Sequence, residues 1–287
     1  MKKHRTTKVS LIITAIIAVV FSFAVEFFNS PVNTQNPQKF KDCDVLVHYI
    51  DVGQGDAIFV NLPGDKTMLI DAGETDTGIV DYITGIGETK IDYLIATHPH
   101  SDHIGGMADV INTFEINKFF MPEVSHTTSV FENMIDALIA NQVDSQYIKS
   151  GDIICDSDGL KIQILSPNNG QEFDDLNNYS AIVKLTYKNK SFLFTGDAEK
   201  KAEKLITGDI SADVLKVGHH GSDTSTGKEF LDKVNPEIAV ISVGADNDYG
   251  HPDSRVLKRL EKKNITILRT DLSGTILIGT DGDNIIY

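Results

Sequence analysis

Three scarcities narrow what this 287-residue chain can be. Only two cysteines occur, Cys43 and Cys155, which excludes a thiolate-rich metal centre and a multi-bridge disulfide framework. One disulfide formed outside the cell and two unpaired thiols both stay open. Positive charge is the second scarcity: 26 Lys and Arg against 41 Asp and Glu give a formal net charge of −15. Setting residues 1–30 aside removes Lys2, Lys3, Arg5, Lys8 and Glu26, which takes the charge to −18. A body this acidic repels polyanions at long range and argues against a broad nucleic-acid footprint. It leaves room for a small phosphate-containing substrate drawn in by the charge of a bound metal. Long apolar runs are the third scarcity, with one exception, Val9 to Val25. That run follows the basic residues Lys2 to Lys8, the pattern of a signal peptide or a membrane anchor. The basic end stays in the cytoplasm, so the body is expected on the extracellular face of the cytoplasmic membrane. It is secreted if cleavage occurs at the small-x-small stretch Ser22-Phe23-Ala24. No cysteine follows the run directly, so a lipoprotein anchor is not expected.

With 41% hydrophobic residues the chain can bury a full core. Residues 1–28 read as the signal or anchor segment. Residues 29–43, rich in Asn, Gln, Pro and Lys, read as a linker, and 44–287 as the folded body. Short β-branched runs at 45–51, 57–62, 67–71, 91–96 and 118–121 read as strands. Apolar spacing predicts helices at 79–86, 106–114 and 130–141. Further strands are expected at 161–165, 180–187 and 191–195, followed by an alternation of helices and strands from 199 to 287. No internal repeat is evident. Strands interspersed with helices predict a layered α/β architecture.

What is abundant is histidine and aspartate in one place. His98, His100, Asp102 and His103 occupy six positions directly after the apolar run Ile91 to Ala96. Imidazole nitrogen and carboxylate oxygen are ligands for zinc and similar divalent ions. In an extended chain His98, His100 and Asp102 share one side, and a bend at Asp102–His103 adds a fourth ligand. Burying four such groups without a metal would strand donors and acceptors at a cost.

Other short stretches gain meaning only if they fold beside this cluster. Asp51-Val52-Gly53-Gln54-Gly55-Asp56 is a tight glycine turn flanked by carboxylates, or merely a hairpin turn. Asp197 ends an apolar strand, where it suits either a metal bridge or a helix N-cap. Val217-Gly218-His219-His220-Gly221-Ser222 follows a strand; one histidine suits a metal, with His219 preferred, and the other a substrate oxygen. Ser222, Thr224 and Ser225 suit an anionic group or a helix cap. His251 in Tyr249-Gly250-His251-Pro252 and the Asn177-Asn178-Tyr179-Ser180 stretch are weaker signals, and His4, His48 and His126 lack supporting neighbours.

Taken together these motifs resemble the metallo-β-lactamase superfamily, whose His-x-His-x-Asp-His signature stands at 98–103. More narrowly they resemble the soluble hydrolase domain of ComEC-type competence proteins. That likeness rests on Asp-Val-Gly-Gln-Gly-Asp at 51–56, Asn-Asn-x-Ser at 177–180, Thr-Gly-Asp-Ala-Glu at 195–199, Leu-Lys-Val-Gly-His-His-Gly-Ser at 215–222 and Tyr-Gly-His-Pro at 249–252. The resemblance implies a four-layer αββα sandwich over residues 45–287 and a site for two divalent metal ions, Zn or Mn. It implies His98 and His100 on the first ion, Asp102, His103 and His219 on the second, and Asp197 between them. A superfamily histidine expected before the bridging aspartate is missing. The first ion is then held less tightly, or partly by Asp56 or Asn178, with Asp51 a further accessory candidate.

Two metals about 3.5–4 Å apart lower the pKa of a water between them towards ~7 and stabilise charge on a reacting phosphoryl oxygen. The resemblance therefore implies a hydrolase, most readily a phosphodiesterase or DNase. Asp102 would assist the water, and His220 or His251 the substrate oxygens. The many membrane helices of full ComEC proteins have no counterpart beyond Val9 to Val25, so no DNA channel is expected. A cell-surface phosphorylcholine or teichoic-acid esterase is the rival, and a non-catalytic DNA-uptake accessory the alternative outside enzymes. The expected partners are a phosphoester, DNA among the candidates, and the membrane if the N-terminal segment is uncleaved; no protein partner is implied.

Overall fold

The computed structural model of the protein describes residues 37–287. The signal or anchor segment and the first part of the linker lie outside the described residues. Among the described residues no helix is long and apolar enough to cross a membrane. Both cysteines are free thiols.

Apolar alternation builds the strands, and the connections between them fix the layers. The first half of the chain runs β1 (Val45–Tyr49), β2 (Ile58–Leu62), β3 (Lys66–Ile70), α1 (Ile79–Gly85), β4 (Lys90–Ile95), α2 (Ser101–Ile104), α3 (Met107–Thr113), β5 (Glu115–Pro122), α4 (Ser129–Ala140) and β6 (Asp144–Ile148). The second half runs β7 (Ile153–Ser157), β8 (Leu160–Ser166), β9 (Ile182–Tyr187), β10 (Lys190–Phe194), α5 (Lys200–Glu203), β11 (Val214–Lys216), α6 (Lys228–Val234), β12 (Ile238–Ile241), α7 (Ser254–Glu261), β13 (Thr266–Arg269), α8 (Thr270–Ser273), β14 (Ile276–Thr280) and β15 (Ile285–Ile286). One sheet has the order β15-β14-β1-β2-β3-β4-β5-β6 and the other β13-β12-β11-β10-β9-β8-β7.

Side chains on alternate strand positions point to opposite faces, and the burial follows that rule. Val45, Val47 and Tyr49 of β1, Ile58 and Val60 of β2, Val183 and Leu185 of β9, and Phe192 and Phe194 of β10 meet in one core between the sheets. The intervening residues face outward: Phe59 and Leu69 pack under α1, α3 and α4, and Ile182 and Leu193 under α5, α6 and α7. Helix, sheet, sheet, helix is the four-layer sandwich that the family resemblance implies. Each fully buried aliphatic or aromatic side chain in these cores is worth roughly 1.5–3 kcal/mol relative to exposure.

Two strands escaped the sequence reading. β6 and β7 are the edge strands of the two sheets. Asp144 to Tyr147 are all exposed, as are Ile153, Asp156 and Ser157. Their pairing comes from a neighbour rather than from an apolar face, so no alternation marks them.

The topology decides where chemistry can sit. β3, β4, β5 and β6 run parallel in the first sheet, and β10, β11, β12 and β13 in the second. Loops leaving the carboxyl ends of parallel strands open the crevice in which such folds bind ligands.

Candidate metal centre

Most polar groups of the crevice leave those strand ends. β3 runs into Asp71, β4 into Thr97, His98 and His100, β10 into Asp197, and β11 into His219 and His220. The chain is extended only as far as His100, which caps α2 with φ −76° and ψ 148°. Asp102 and His103 lie in the first turn of that helix, so the two divide between neighbouring positions instead of lining one face of a strand. The Asp51–Asp56 loop does fold beside the cluster. The Asp56 N–H donates to the Asp102 carbonyl at 3.1 Å. Gly55 makes this approach possible, since a Cβ there would stand 2.2 Å from the Asp102 carbonyl oxygen, at φ +137°.

Two half-sites result. In one, Asp102, His103, Asp197 and His220 each bring a ligand atom within 4.8 Å of the others. His103 Nε2 lies 3.2 Å from Asp197 Oδ1, and His220 Nε2 lies 3.2 Å from Asp102 Oδ2 and 3.4 Å from Asp197 Oδ2. In the other, His98 Nε2 and His100 Nδ1 converge to 3.1 Å, with the His98 and His103 ring centroids 4.2 Å apart. The donor chemistry fits divalent metals. His103 Nε2, His220 Nε2 and Asp197 Oδ1 are buried and make no hydrogen bond among the described residues. Buried polar atoms left in that condition point to an ion as their partner.

A second layer aims these ligands. His103 Nδ1 pairs with Asp71 Oδ2 at 2.7 Å, and the Thr97 N–H and hydroxyl donate to Asp71 at 2.8 and 2.7 Å. His220 Nδ1–H donates to the Ser242 carbonyl at 2.9 Å. Both rings are thereby held with Nε2 towards the site. Ser180 Oγ lies 3.3 Å from His98 Nδ1 and accepts the Asp197 N–H at 3.1 Å. Lys216, fully buried, donates to the Gly196 carbonyl at 3.1 Å, pairs with Asp56 and stands 4.0 Å from Asp197 Oδ1. The grouping of Asp56, Asp71 and His103 is therefore already engaged from behind and supports the ligands.

The electrostatics follow from crowding carboxylates and imidazoles in low dielectric. Burial alone would lower His103, but Asp197, Asp102 and Asp71 outweigh it and hold the ring well above its ordinary value. Burial is likewise overcome at His220, which Asp197 and Asp102 push up to about 9. At Asp197 burial is outweighed by His220 and His103, and the carboxyl falls well below the usual range. His98 is driven down by burial and by the charge of His103. Around His103 and His220 the carboxylates thus favour positive charge, the condition in which cations are stabilised.

Several sequence expectations need correction in their particulars. His220, not His219, belongs to the four-residue group. Both histidines have positive φ, 48° and 50°, and the Ser242 carbonyl draws His220 inward. His219 is left in the cleft wall with Nε2 3.7 Å from Asp197 and Nδ1 3.1 Å from the Thr224 hydroxyl. Asn178 points away from the donors: its amide donates to Glu199 at 2.9 Å and its oxygen accepts the Ala202 N–H at 3.2 Å. Asp51 is exposed and accepts the local Gly53 N–H at 3.2 Å, and Asp56 is held by Lys216. Asp197 is not a helix cap, because Glu199 occupies that position before α5. Ser225 bonds the Gly218 carbonyl at 2.6 Å and so shapes the histidine turn. His251 lies at the cleft mouth, its ring 5.8 Å from those of His219 and Tyr249.

Asp71, Thr97 and Lys216 were not singled out in the sequence, and Asn177 and Ser180 only as members of the 177–180 stretch. For Lys216 a signal existed: a lysine inside the apolar strand Val214 to Val217 is buried only with a partner. His126, set aside earlier, lies at the cleft rim with its ring 6.3 Å from that of His100. The cleft over the donors holds about 360 Å³, and among the described residues no lysine or arginine lines it.

Comparison with known proteins agrees with this geometry. The model of the metallo-beta-lactamase superfamily matches residues 50–245. The chain is 34% identical over 252 residues to ComE operon protein 3 of Bacillus subtilis, covering 80% of this chain and 32% of that protein. It is 30% identical over 250 residues to competence protein ComA of Neisseria gonorrhoeae, covering 85% and 33%. The chain thus spans about a third of the length of the curated relatives it matches. Among solved structures, the metallo-beta-lactamase fold protein YhfI of Bacillus subtilis superposes with a TM-score of 0.55 at 12% identity, over 82% of this chain and 100% of that one. At that identity the likeness shows a shared fold.

Proposed function

The chain belongs to the metallo-β-lactamase superfamily, and on that premise we propose that it is a dinuclear-metal-dependent phosphodiesterase acting outside the cytoplasm, with DNA the first substrate to test. The observation that carries the reading is the pair of adjoining half-sites, His98/His100 and Asp102/His103/His220, with Asp197 beside both. Two bound divalent ions supply an activated water and charge that stabilises phosphoryl oxygens. The protein's own groups do the rest. Asp71 and the Ser242 carbonyl keep the Nε2 atoms of His103 and His220 facing the site. Asp102, about a quarter exposed where its partners are buried, faces the cleft and orients the attacking water. His251 has a buried Nδ1 without a hydrogen-bond partner among the described residues. Burial lowers its pKa below the ordinary imidazole value, so it meets a substrate oxygen as a neutral N–H donor. The likeness to competence proteins supports a nucleic-acid phosphodiester, and the basic stretch before Val9 to Val25 supports export.

A second reading is favoured by the cleft wall. With no lysine or arginine lining it and an exposed Tyr249 at its edge, the cleft suits an ester that brings its own cation, such as a phosphorylcholine ester.

The test loads the purified protein with Mn or Zn and offers single-stranded DNA, double-stranded DNA, a phosphorylcholine ester, a β-lactam and bis-p-nitrophenyl phosphate. DNA turnover is expected. Preference for the phosphorylcholine ester selects the second reading, and two bound ions with no turnover of any substrate select the non-catalytic accessory. Asp197→Ala is expected to drop bis-p-nitrophenyl phosphate turnover to background with the circular dichroism unchanged. Undiminished turnover in that variant refutes the role given to Asp197.

A further inference from the structure

We infer that Asn177 Oδ1 is the donor that completes the His98/His100 half-site, standing where the superfamily pattern expects a histidine and making that half-site an oxygen-richer position than its neighbour. This rests on the dinuclear reading above.

The turn Leu176–Tyr179 leads into β9 and presents two adjacent asparagines with opposite fates. Asn178 spends both ends of its carboxamide on Glu199 and Ala202, which fastens the turn to α5. Asn177 has its own N–H bound by Asp175 at 3.0 Å, which sets its backbone. Its side chain lies in the wall of the metal cleft. The residue is only 7% exposed, and its Oδ1 is buried without a hydrogen-bond partner among the described residues. A buried carbonyl oxygen left unsatisfied costs about 1–3 kcal/mol, so its retention beside metal-binding groups requires an explanation. The neighbouring histidine supplies one: Asn177 and His100 line the same cleft, beside the converging His98 and His100 nitrogens. The same short segment continues into Ser180, whose hydroxyl fixes His98 on its far side. One turn therefore places both the ring that offers Nε2 and the amide that offers oxygen.

The donor set at this position is then two imidazole nitrogens, one neutral carbonyl oxygen and the Asp197 carboxylate. A third imidazole would favour zinc; a carbonyl oxygen suits harder ions such as Mn²⁺ and weakens the hold on Zn²⁺. The adjoining half-site, with His103, His220 and two carboxylates, keeps its zinc affinity. The two positions are predicted to fill at different free-metal concentrations, and Asn177 sets the difference.

The experiment is equilibrium dialysis of the purified protein against buffered free Mn²⁺ or Zn²⁺, with bound metal counted by mass spectrometry and Co²⁺ absorption as an independent report of coordination. Wild type is expected to bind two Mn²⁺, with the second Zn²⁺ entering only at higher free metal. Asn177→Ala should retain one ion and lose the other. Asn177→Asp, which keeps the shape and adds charge, should retain both and guards against a folding artefact in the alanine variant. Asn177→His should take up the second Zn²⁺ at least about tenfold more tightly, since outer-shell partners alone change metal affinity about 10–100-fold and a direct imidazole ligand should do no less. Two ions held with unchanged affinities in Asn177→Ala and Asn177→His would overturn the assignment and leave the dinuclear reading intact. A wild type that binds no ion would overturn that reading itself, and this assignment with it.

Discussion

Lys216 offers a severe test of how the site is held together. Its ammonium has no solvent contact and three oxygen neighbours: Asp56 Oδ2, the Gly196 carbonyl at 3.1 Å and Asp197 Oδ1 at 4.0 Å. Lys216→Met preserves the length of the side chain and removes the charge. Asp56 is then buried with only His220 Nδ1 at 3.6 Å and His103 Nδ1 at 3.9 Å as cationic neighbours, and each already serves another acceptor. Breaking a buried ion pair from one side costs about 3–5 kcal/mol, a large part of the 5–15 kcal/mol that typically holds a protein folded. For a unit of this size that corresponds to a fall in Tm of roughly 6–20 °C. The measurement is urea and thermal unfolding followed by circular dichroism, in EDTA and again with saturating Mn²⁺. Bound ions return positive charge to the same carboxylates, so the cost should be smaller in Mn²⁺ than in EDTA. Lys216→Met combined with Asp56→Asn removes both charges, and the double variant should be less destabilised than the sum of the single ones. A Lys216→Met cost below about 1 kcal/mol, or strict additivity in the double variant, would refute the pairing argument.

Other expectations follow from single contacts. His48, remote from the cleft, is held neutral: Nε2–H donates to Asn61 Oδ1 at 3.0 Å and Nδ1 accepts the Tyr82 hydroxyl at 2.8 Å. Burial pushes its pKa from 6.5 down to about 4. The unfolded chain therefore takes up a proton that the folded one refuses as pH falls from 6.5 to 4, and the stability present above pH 6.5 is lost across that window, by up to about 3 kcal/mol. His48→Gln should lose less over the same range, so wild-type and variant urea midpoints converge towards pH 4; parallel curves would contradict the assignment. Gly55→Ala places a methyl against the Asp102 carbonyl oxygen. It should cost about 1–3 kcal/mol and lower metal occupancy, and unchanged unfolding and metal content would show that the loop gives way freely.

How much was legible in the sequence depends on where the deciding contact lies. The His98–His103 signature was readable because its ligands are consecutive on one strand-to-helix turn, so local geometry alone brings them together. The two doublets were not. His219 and His220 are chemically identical neighbours, and the choice between them is made by the Ser242 carbonyl, 22 residues away in sequence. Asn177 and Asn178 are separated in the same way by Glu199 and Ala202. In each pair the residue types at the site were legible, and a tertiary partner decides which side chain turns inward. Asp71 ends the apolar strand β3 as plainly as Asp197 ends β10. Nothing local distinguishes a carboxylate that faces a ligand from one that aims a histidine.

The composition and the site bear on each other through charge. Asp56, Asp71, Asp102 and Asp197 are gathered around one point, Lys216 is spent on the inner side of that group, and no lysine or arginine lines the cleft outside it. In a chain of net charge −15, the carboxylates of such a pocket repel an anionic phosphoester. On the proposed function, the attraction that admits a phosphodiester would come from bound ions, whose charge would be close and weakly screened. Recognition and catalysis would then rest on the same cations. Steering by a basic surface, the usual device of proteins that grip long nucleic acids, is given up. On this view the acidic body does not count against a nucleic-acid substrate as such. It counts against any substrate that must be held far from the metals, and it favours one engaged at a single phosphodiester.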